Sequence, residues 1–229
     1  FLYNPGAGAI TVDTVDGSGA ASSVNIPAGG SNFFDMPTGP YGVELCSQDG
    51  SVFYAGAAVD YSDVVHDWGH ALVPSPLQTN QLLVPWADGC DPTIPGCTEN
   101  GSPIWVTPVC DTFVYVDFDL DGSPDLVDLN GDNDTTDVVD GHDEATSDQG
   151  ISLDRLDRIL IHDPTDISQT GALIYSLDGA NNVGGIGCDL AGVWGQNGAV
   201  ASSASPAIDV GTLIVPFGAD VRIEKATNG

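Results

Sequence analysis

Gly42-Val-Glu-Leu-Cys-Ser-Gln-Asp-Gly50 aligns without gaps on Gly171-Ala-Leu-Ile-Tyr-Ser-Leu-Asp-Gly179. In each copy a short apolar run enters Ser-x-Asp-Gly, the composition of a turn that closes a β-hairpin. Further along, Leu82-Leu-Val-Pro-Trp86 matches Leu213-Ile-Val-Pro-Phe217 at nearly the same offset. Two matches in register point to duplication rather than to chance likeness between two hairpins. The shared proline suits a strand that stops there or lies at a sheet edge. Working outward from 42–46 and 82–86, similar runs bounded by Gly, Pro, Asn and Asp lie at 9–15, 52–59, 104–109 and 112–118, then at 156–162, 172–176, 193–195, 212–217 and 221–224. Only 151–158 leaves a short helical turn open, through Leu153, Leu156 and Leu160. The expected fold is all-β, with two tandem β-sandwich-like modules. The first covers 1–89, a Cys- and Pro-rich linker covers 90–103, and the second covers 104–220 with an acidic loop at 117–148 inserted in it. Residues 221–229 form a linker or terminal strand.

The chain has 229 residues, with 33 Asp plus Glu against 4 Lys plus Arg, a formal net charge of −29. Nucleic-acid binding is excluded, because displacing counterions from phosphates needs lysine and arginine. Docking on anionic lipid is disfavoured, because it needs clustered basic residues. Yet 41% of residues are hydrophobic and only 16% are charged, so the charge sits on a folded chain with a core to bury. No run approaches the roughly 20 apolar residues of a membrane span. These residues include no basic-then-apolar segment of signal-peptide type. Export to the cell surface or medium is expected from the near absence of lysine and the dominance of Gly, Ser, Thr, Asn and Asp. The acceptor patterns Asn100-Gly101-Ser102 and Asn133-Asp134-Thr135 are compatible with that route.

Five cysteines are an odd count. Cys90 and Cys97 bracket a turn-rich segment and are expected to pair in an oxidising compartment. Cys110 and Cys188 are the favoured second pair, which leaves Cys46 either buried or available for a link between chains. Five reduced core cysteines remain the alternative.

Asp117-Phe-Asp119-Leu-Asp121-Gly122-Ser123-Pro-Asp125-Leu-Val-Asp128 sets oxygen ligands at positions 1, 3, 5, 9 and 12 of a twelve-residue loop, with glycine at 6 and the Ser123 carbonyl at 7. This is the spacing by which a chain wraps Ca²⁺, the glycine supplying the sharp turn. Asp128 stands where a longer glutamate arm is usual, and a strand precedes the loop, so a structural ion site in a β domain is expected rather than a helix–loop–helix sensor. Asn130, Asp132 and Asp134 restart the alternation, and Asp137, Asp140, Asp143 and Glu144 continue it. From Asp117 to Glu144 there are eleven carboxylates and no Lys or Arg. Such density repels itself unless a divalent ion becomes the largest local charge. One Ca²⁺ is expected, with ligands for two or three; the alternative is a solvated loop that deters aggregation.

His66-Asp67-Trp68-Gly69-His70 sets two histidines four apart, but zinc ligation at that spacing needs a helix, which Trp68-Gly69 argues against. Trp68, Trp86, Trp105 and Trp194 are expected as core or interface anchors. No nucleophile elbow, phosphate loop or Cys–His pairing is present. A glycosidase's two acids need no local motif, yet here ligation explains the acids, and a non-enzymatic protein is expected.

Asp67-Trp68-Gly69-His70-Ala71-Leu72-Val73-Pro74 and Val84-Pro85-Trp86-Ala87-Asp88-Gly89 resemble a recurrent extracellular β region of large modular bacterial surface proteins. So do Asn100-Gly-Ser-Pro-Ile-Trp-Val-Thr107, Val114-Tyr-Val-Asp-Phe-Asp119, Ile161-His-Asp-Pro164, Gln169-Thr-Gly171 and Val193-Trp-Gly-Gln196. The first half is faintly similar to the N-terminal domain of IgG-Fc-binding proteins. Ala219-Asp-Val-Arg-Ile-Glu-Lys-Ala-Thr-Asn-Gly229 resembles the opening of a following Ig-like or Sdr-type B module. The resemblance implies a stalk or surface-layer module without catalytic residues. The expected function is a calcium-stabilised structural module of a stalk, layer or extracellular filament. Its partners would be copies of itself or neighbouring modules, joined by adding a strand from 1–15 or 208–223 to an open sheet edge. The alternative is a calcium-dependent adhesin or carbohydrate-binding module.

Overall fold

β2 (Ile10–Asp16) shows why the chain folds as sheet: its residues alternate buried and half-buried, so one face enters a core while the other meets solvent. A computed structural model describes residues 1–36, 38–59, 68–90, 95–197, 211–214 and 216–217. Around β2 the first half adds β1 (Leu2–Tyr3), β3 (Ala21–Ile26), β4 (Ser31–Asn32), β5 (Val43–Ser47), β6 (Tyr54–Val59) and β7 (Trp68–Ala71). The second half adds β8 (Gln81–Leu83), β9 (Ile104–Pro108), β10 (Thr112–Asp117), β11 (Val138–Val139), β12 (His142–Asp143), β13 (Ile151–Leu153), β14 (Ile159–Ile161), β15 (Leu173–Leu177), β16 (Leu190–Gly195) and β17 (Gly211–Leu213). Two short 3₁₀ turns, Ser75–Leu77 and Glu144–Gln149, are the helical elements among the described residues. The protein is all-β.

Two antiparallel sheets, β13-β10-β15-β8 and β14-β9-β16-β17, face each other across the larger core. Leu82, Val114, Val116, Ile151, Leu153 and Ile174 meet Ile104, Val106, Ile159, Ile161, Leu190 and Trp194 there, the interdigitation of a β-sandwich. Each such buried aliphatic side chain contributes about 1.5–3 kcal/mol. A smaller core joins β3-β2-β5 to β4-β1-β6-β7 through Leu2, Ile10, Val12, Val24 and Ile26.

The cores do not divide at the cysteine-rich stretch. β8 pairs with β15, and Leu82, Val84 and Ala87 lie in the larger core, so 81–87 packs with the second unit although the sequence division places it within 1–89. The reason is an apolar face that finds its cover there. Asn100 and Ser102, placed in the 90–103 linker, are likewise buried. The matched segments are not equivalent strands either. β5 is a sheet edge whereas β15 lies between β10 and β8. Leu82 and Pro216 face one another in an antiparallel bridge, with the Phe217 amide donating to the Gln81 carbonyl at 2.8 Å.

Several expected elements shift. β14 is shorter than 156–162, because Leu156 has φ +65° and occupies a turn. Residues 151–153 form a strand, not a helical turn. The polar run of β3 carries no apolar alternation strong enough to be seen in sequence; it is fixed by pairing with β2 from Ile10↔Ile26 to Val15↔Ala21. The expected strand at 221–224 lies outside the described residues.

Several contacts join the units. Trp68 of β7 donates from Nε1 to the Gln196 carbonyl at 2.8 Å, and its ring occupies the space that a Cβ at Gly195 or Gly211 would need. Nearby, Gly42 donates to the Leu156 carbonyl at 2.7 Å, Arg158 N donates to the Pro40 carbonyl at 2.8 Å, and Arg155 pairs with Glu44. Cys90–Cys97 and Cys110–Cys188 are disulfides, with Cα–Cα distances of 6.3 and 5.7 Å. Cys46 is free and exposed. The disulfides fit an oxidising compartment. No helix among the described residues is long and apolar enough to cross a membrane.

Candidate metal centre

β10 is flanked on both sides, by β13 and β15, so its last residue leaves the sheet with its carboxylate held inside. Asp117 is only 3% exposed. Its Oδ2 accepts the Gly122 amide at 3.0 Å, while its Oδ1 is buried without a hydrogen-bond partner. The loop is wound by its own side chains. Asp119 Oδ1 accepts from Asp121 N at 3.0 Å and Asp121 Oδ1 from Ser123 N at 2.8 Å. Gly122 has φ +90°, a conformation that resists any Cβ. The chain then returns: Asp125 N donates to the Val116 carbonyl at 2.8 Å, and Asp125 Oδ2 accepts from Phe118 N at 2.7 Å.

This winding brings carboxylate oxygens of Asp117, Asp119 and Asp125 within 4.8 Å of one another. Burial raises the Asp125 pKa above its ordinary range; the Phe118 amide opposes this, and the charges of Asp119, Asp117 and Asp121 add to it. A desolvated carboxylate among like charges gains most from a cation. The donor set is oxygen only, which suits a hard ion such as Ca²⁺. Asp121 and Ser123 shape the loop but lie outside this three-residue group.

Asp128, placed at the twelfth position by spacing, turns to a second loop. Its Oδ1 accepts from Asn130 N at 2.9 Å and Gly131 N at 2.6 Å, and its Oδ2 from Asn133 N at 2.8 Å. Core residues Val127 and Leu129 flank it, and its backbone bridges to His162, which together fix its direction. Asn133, with φ +69°, takes the turn position that Gly122 holds in the first loop. The second loop gathers Asp132, Asp134 and Asp137, whose oxygens also lie within 4.8 Å of one another, though all three are exposed. Asn130 Nδ2 donates to Asp132 Oδ2 at 3.3 Å and Asp137 Oδ2 at 2.9 Å. Asp140 stands at φ +50° in the hairpin turn between β11 and β12 and belongs to neither group.

Glu144, which spacing places only at the end of the acidic run, has a role that spacing does not show. It is fully buried, and it closes the second loop by accepting Leu129 N at 2.7 Å on Oε1 and Asp137 N at 3.1 Å on Oε2. Burial raises its pKa, partly offset by those two amides, with Asp128 and Asp132 adding to the rise. His162 is buried beside the same loop, its Nδ1 3.2 Å from the Asp128 carbonyl. Burial, opposed by the Asp128 charge, pushes its pKa down to about 4, so the ring is neutral at physiological pH.

Trp194 is fully buried and meets Trp86 edge-on at 4.8 Å, and Trp68 lies 5.4 Å from Trp105. Trp86 keeps 46% exposure. His66 lies outside the described residues; His70 lies 5.7 Å from the Trp68 ring, and burial lowers its pKa.

No protein-family model, curated protein or solved structure matches this chain. Fold and site define a class on their own: an all-β, disulfide-bonded, strongly acidic protein with two carboxylate clusters among the described residues that could hold metal ions.

Proposed function

We propose that the chain is a non-enzymatic, secreted structural module of a cell-surface stalk, layer or filament, with Ca²⁺ bound at Asp117, Asp119 and Asp125. The observation that carries this reading is Asp117, a buried carboxylate with one unpartnered oxygen beside two more carboxylates. Leaving such an oxygen unpaired is costly, and a hard cation removes the cost. A second ion at Asp132, Asp134 and Asp137 would order the loop that Glu144 closes. The resemblance to bacterial surface modules and the two disulfides support an extracellular setting.

Assembly by strand addition fits the open edges better than it fits residues 1–15 as donor; most of 208–223 lies outside the described residues. Residues 1–15 are already committed, β1 between β4 and β6 and β2 between β3 and β5. Among the described residues β3 pairs only with β2, so its outer edge is the acceptor for a strand from a neighbouring copy or module. Sedimentation and electron microscopy at high protein concentration test this. Oligomers or filaments are expected in millimolar-scale calcium and their loss in chelator; monomers in both conditions would refute assembly through this module alone.

A further inference from the structure

The turn that follows β14 contains an aspartyl-prolyl bond, Asp163–Pro164, in unusual surroundings. Asp163 is 6% exposed, and its Oδ1 accepts Thr165 N at 2.7 Å. The carbonyl oxygen of the Asp163–Pro164 peptide accepts Asn100 Nδ2 at 2.8 Å. Asn100 is 1% exposed and cannot swing away. Its Oδ1 accepts Gln169 Nε2 at 3.0 Å, and its Nδ2 also donates to Asn133 Oδ1 at 3.0 Å. Three residues beyond the proline, Ile167 sits at φ +64°. A β-branched residue is strained in that conformation.

An aspartate carboxyl reaches its own peptide carbonyl carbon by closing a five-membered ring, and proline nitrogen leaves as a secondary amine. Nucleophile and carbonyl are thus held together covalently, and the Asn100 N–H stands where negative charge would develop on the carbonyl oxygen. We propose that the folded chain cleaves itself once at Asp163–Pro164, with Asp163 as nucleophile and Asn100 as oxyanion donor. The carboxyl oxygen not held by Thr165 adds to the carbonyl carbon, and the carbonyl oxygen becomes the oxyanion. The carboxyl proton passes to the Pro164 nitrogen, the C–N bond breaks, and a cyclic anhydride remains on residue 163. One water opens it to a C-terminal Asp163, so the net change is hydrolysis of one peptide bond. Burial, and then the adjacent Asp166 charge, hold the Asp163 carboxyl above its ordinary range, which preserves the required proton toward higher pH. Cys110–Cys188 spans the cut, so the product stays one disulfide-linked molecule.

Intact-mass analysis and reducing electrophoresis over days, at mildly acidic and neutral pH in calcium-containing buffer, test the proposal. Fragments 1–163 and 164–229 should accumulate, together one water heavier than the chain. The chain's other aspartyl-prolyl bond, Asp91–Pro92, is an internal control, and Asp163–Pro164 should break at least about tenfold faster. Unfolding in denaturant with reductant should abolish that preference. Asp163→Asn should abolish the cut, and Asn100→Ala should slow it about a hundredfold while melting shows the fold retained. Absence of any chain beginning at Pro164, equal rates at the two bonds in folded protein, or cleavage surviving in D163N would each overturn it.

Discussion

Asp117 and Gly122 do complementary work in the first loop. The glycine turns the chain at φ +90° and gives its amide to one aspartate oxygen, leaving the other oxygen for a cation. Asp117→Asn should therefore weaken calcium binding by at least about tenfold while leaving the apo fold intact, as calorimetry and circular dichroism would show. His162 governs acid sensitivity. Its folded pKa of about 4 lies below the ordinary 6.5, so its contribution to stability is complete above 6.5 and is lost as pH falls toward 4. The loss amounts to up to about 3 kcal/mol. Glu144 has the opposite sign: its raised pKa makes stability greatest below its ordinary value and lower as pH rises through the folded one. Denaturant titrations in chelator should show the wild type weakening between pH 6.5 and 4, and His162→Gln should reverse or flatten that slope. An unchanged slope in the variant would remove His162 from the account. These roles were unequally legible. Asp117, Asp119 and Gly122 follow from local spacing, whereas the direction of Asp128 depends on its core flanks and on His162, 34 residues away. Glu144 and Asn133 act through backbone groups of the folded loop, which no spacing rule encodes.

Among the elements, strands with apolar alternation were visible in sequence, as in β2, β9 and β10. β3 was not, because its identity comes from pairing rather than from composition. The repeat misled about topology for a related reason, since local likeness between hairpins says nothing about which sheet each enters. The disulfides differ in reach, with separations of 78 and 7 residues. Loop-closure entropy gives about 4 kcal/mol for the long link and about 2 kcal/mol for the short one. Replacing Cys110 and Cys188 by serine should lower the melting temperature more than replacing Cys90 and Cys97. The acidic segment should behave as a separate unit: chelator is expected to open 119–150 to protease while the sandwich core stays resistant. Uniform protection with and without chelator would show that the segment holds without metal.

For the whole molecule, the formal charge of −29 overstates what a calcium-loaded protein carries, because a third of its acids fall between Asp117 and Glu144. In the proposed reading, charge, disulfides and open sheet edges suit an extracellular lattice whose most repulsive segment is fixed by ions. Calcium titration of metal-stripped protein by calorimetry, paired with melting, tests that claim most directly. The account predicts saturable binding at roughly 10⁻⁴–10⁻³ M, with melting about 3–10 °C higher at saturation, both lost in D117N. No binding heat and no melting shift in the wild type, or an unaltered response in D117N, would contradict it.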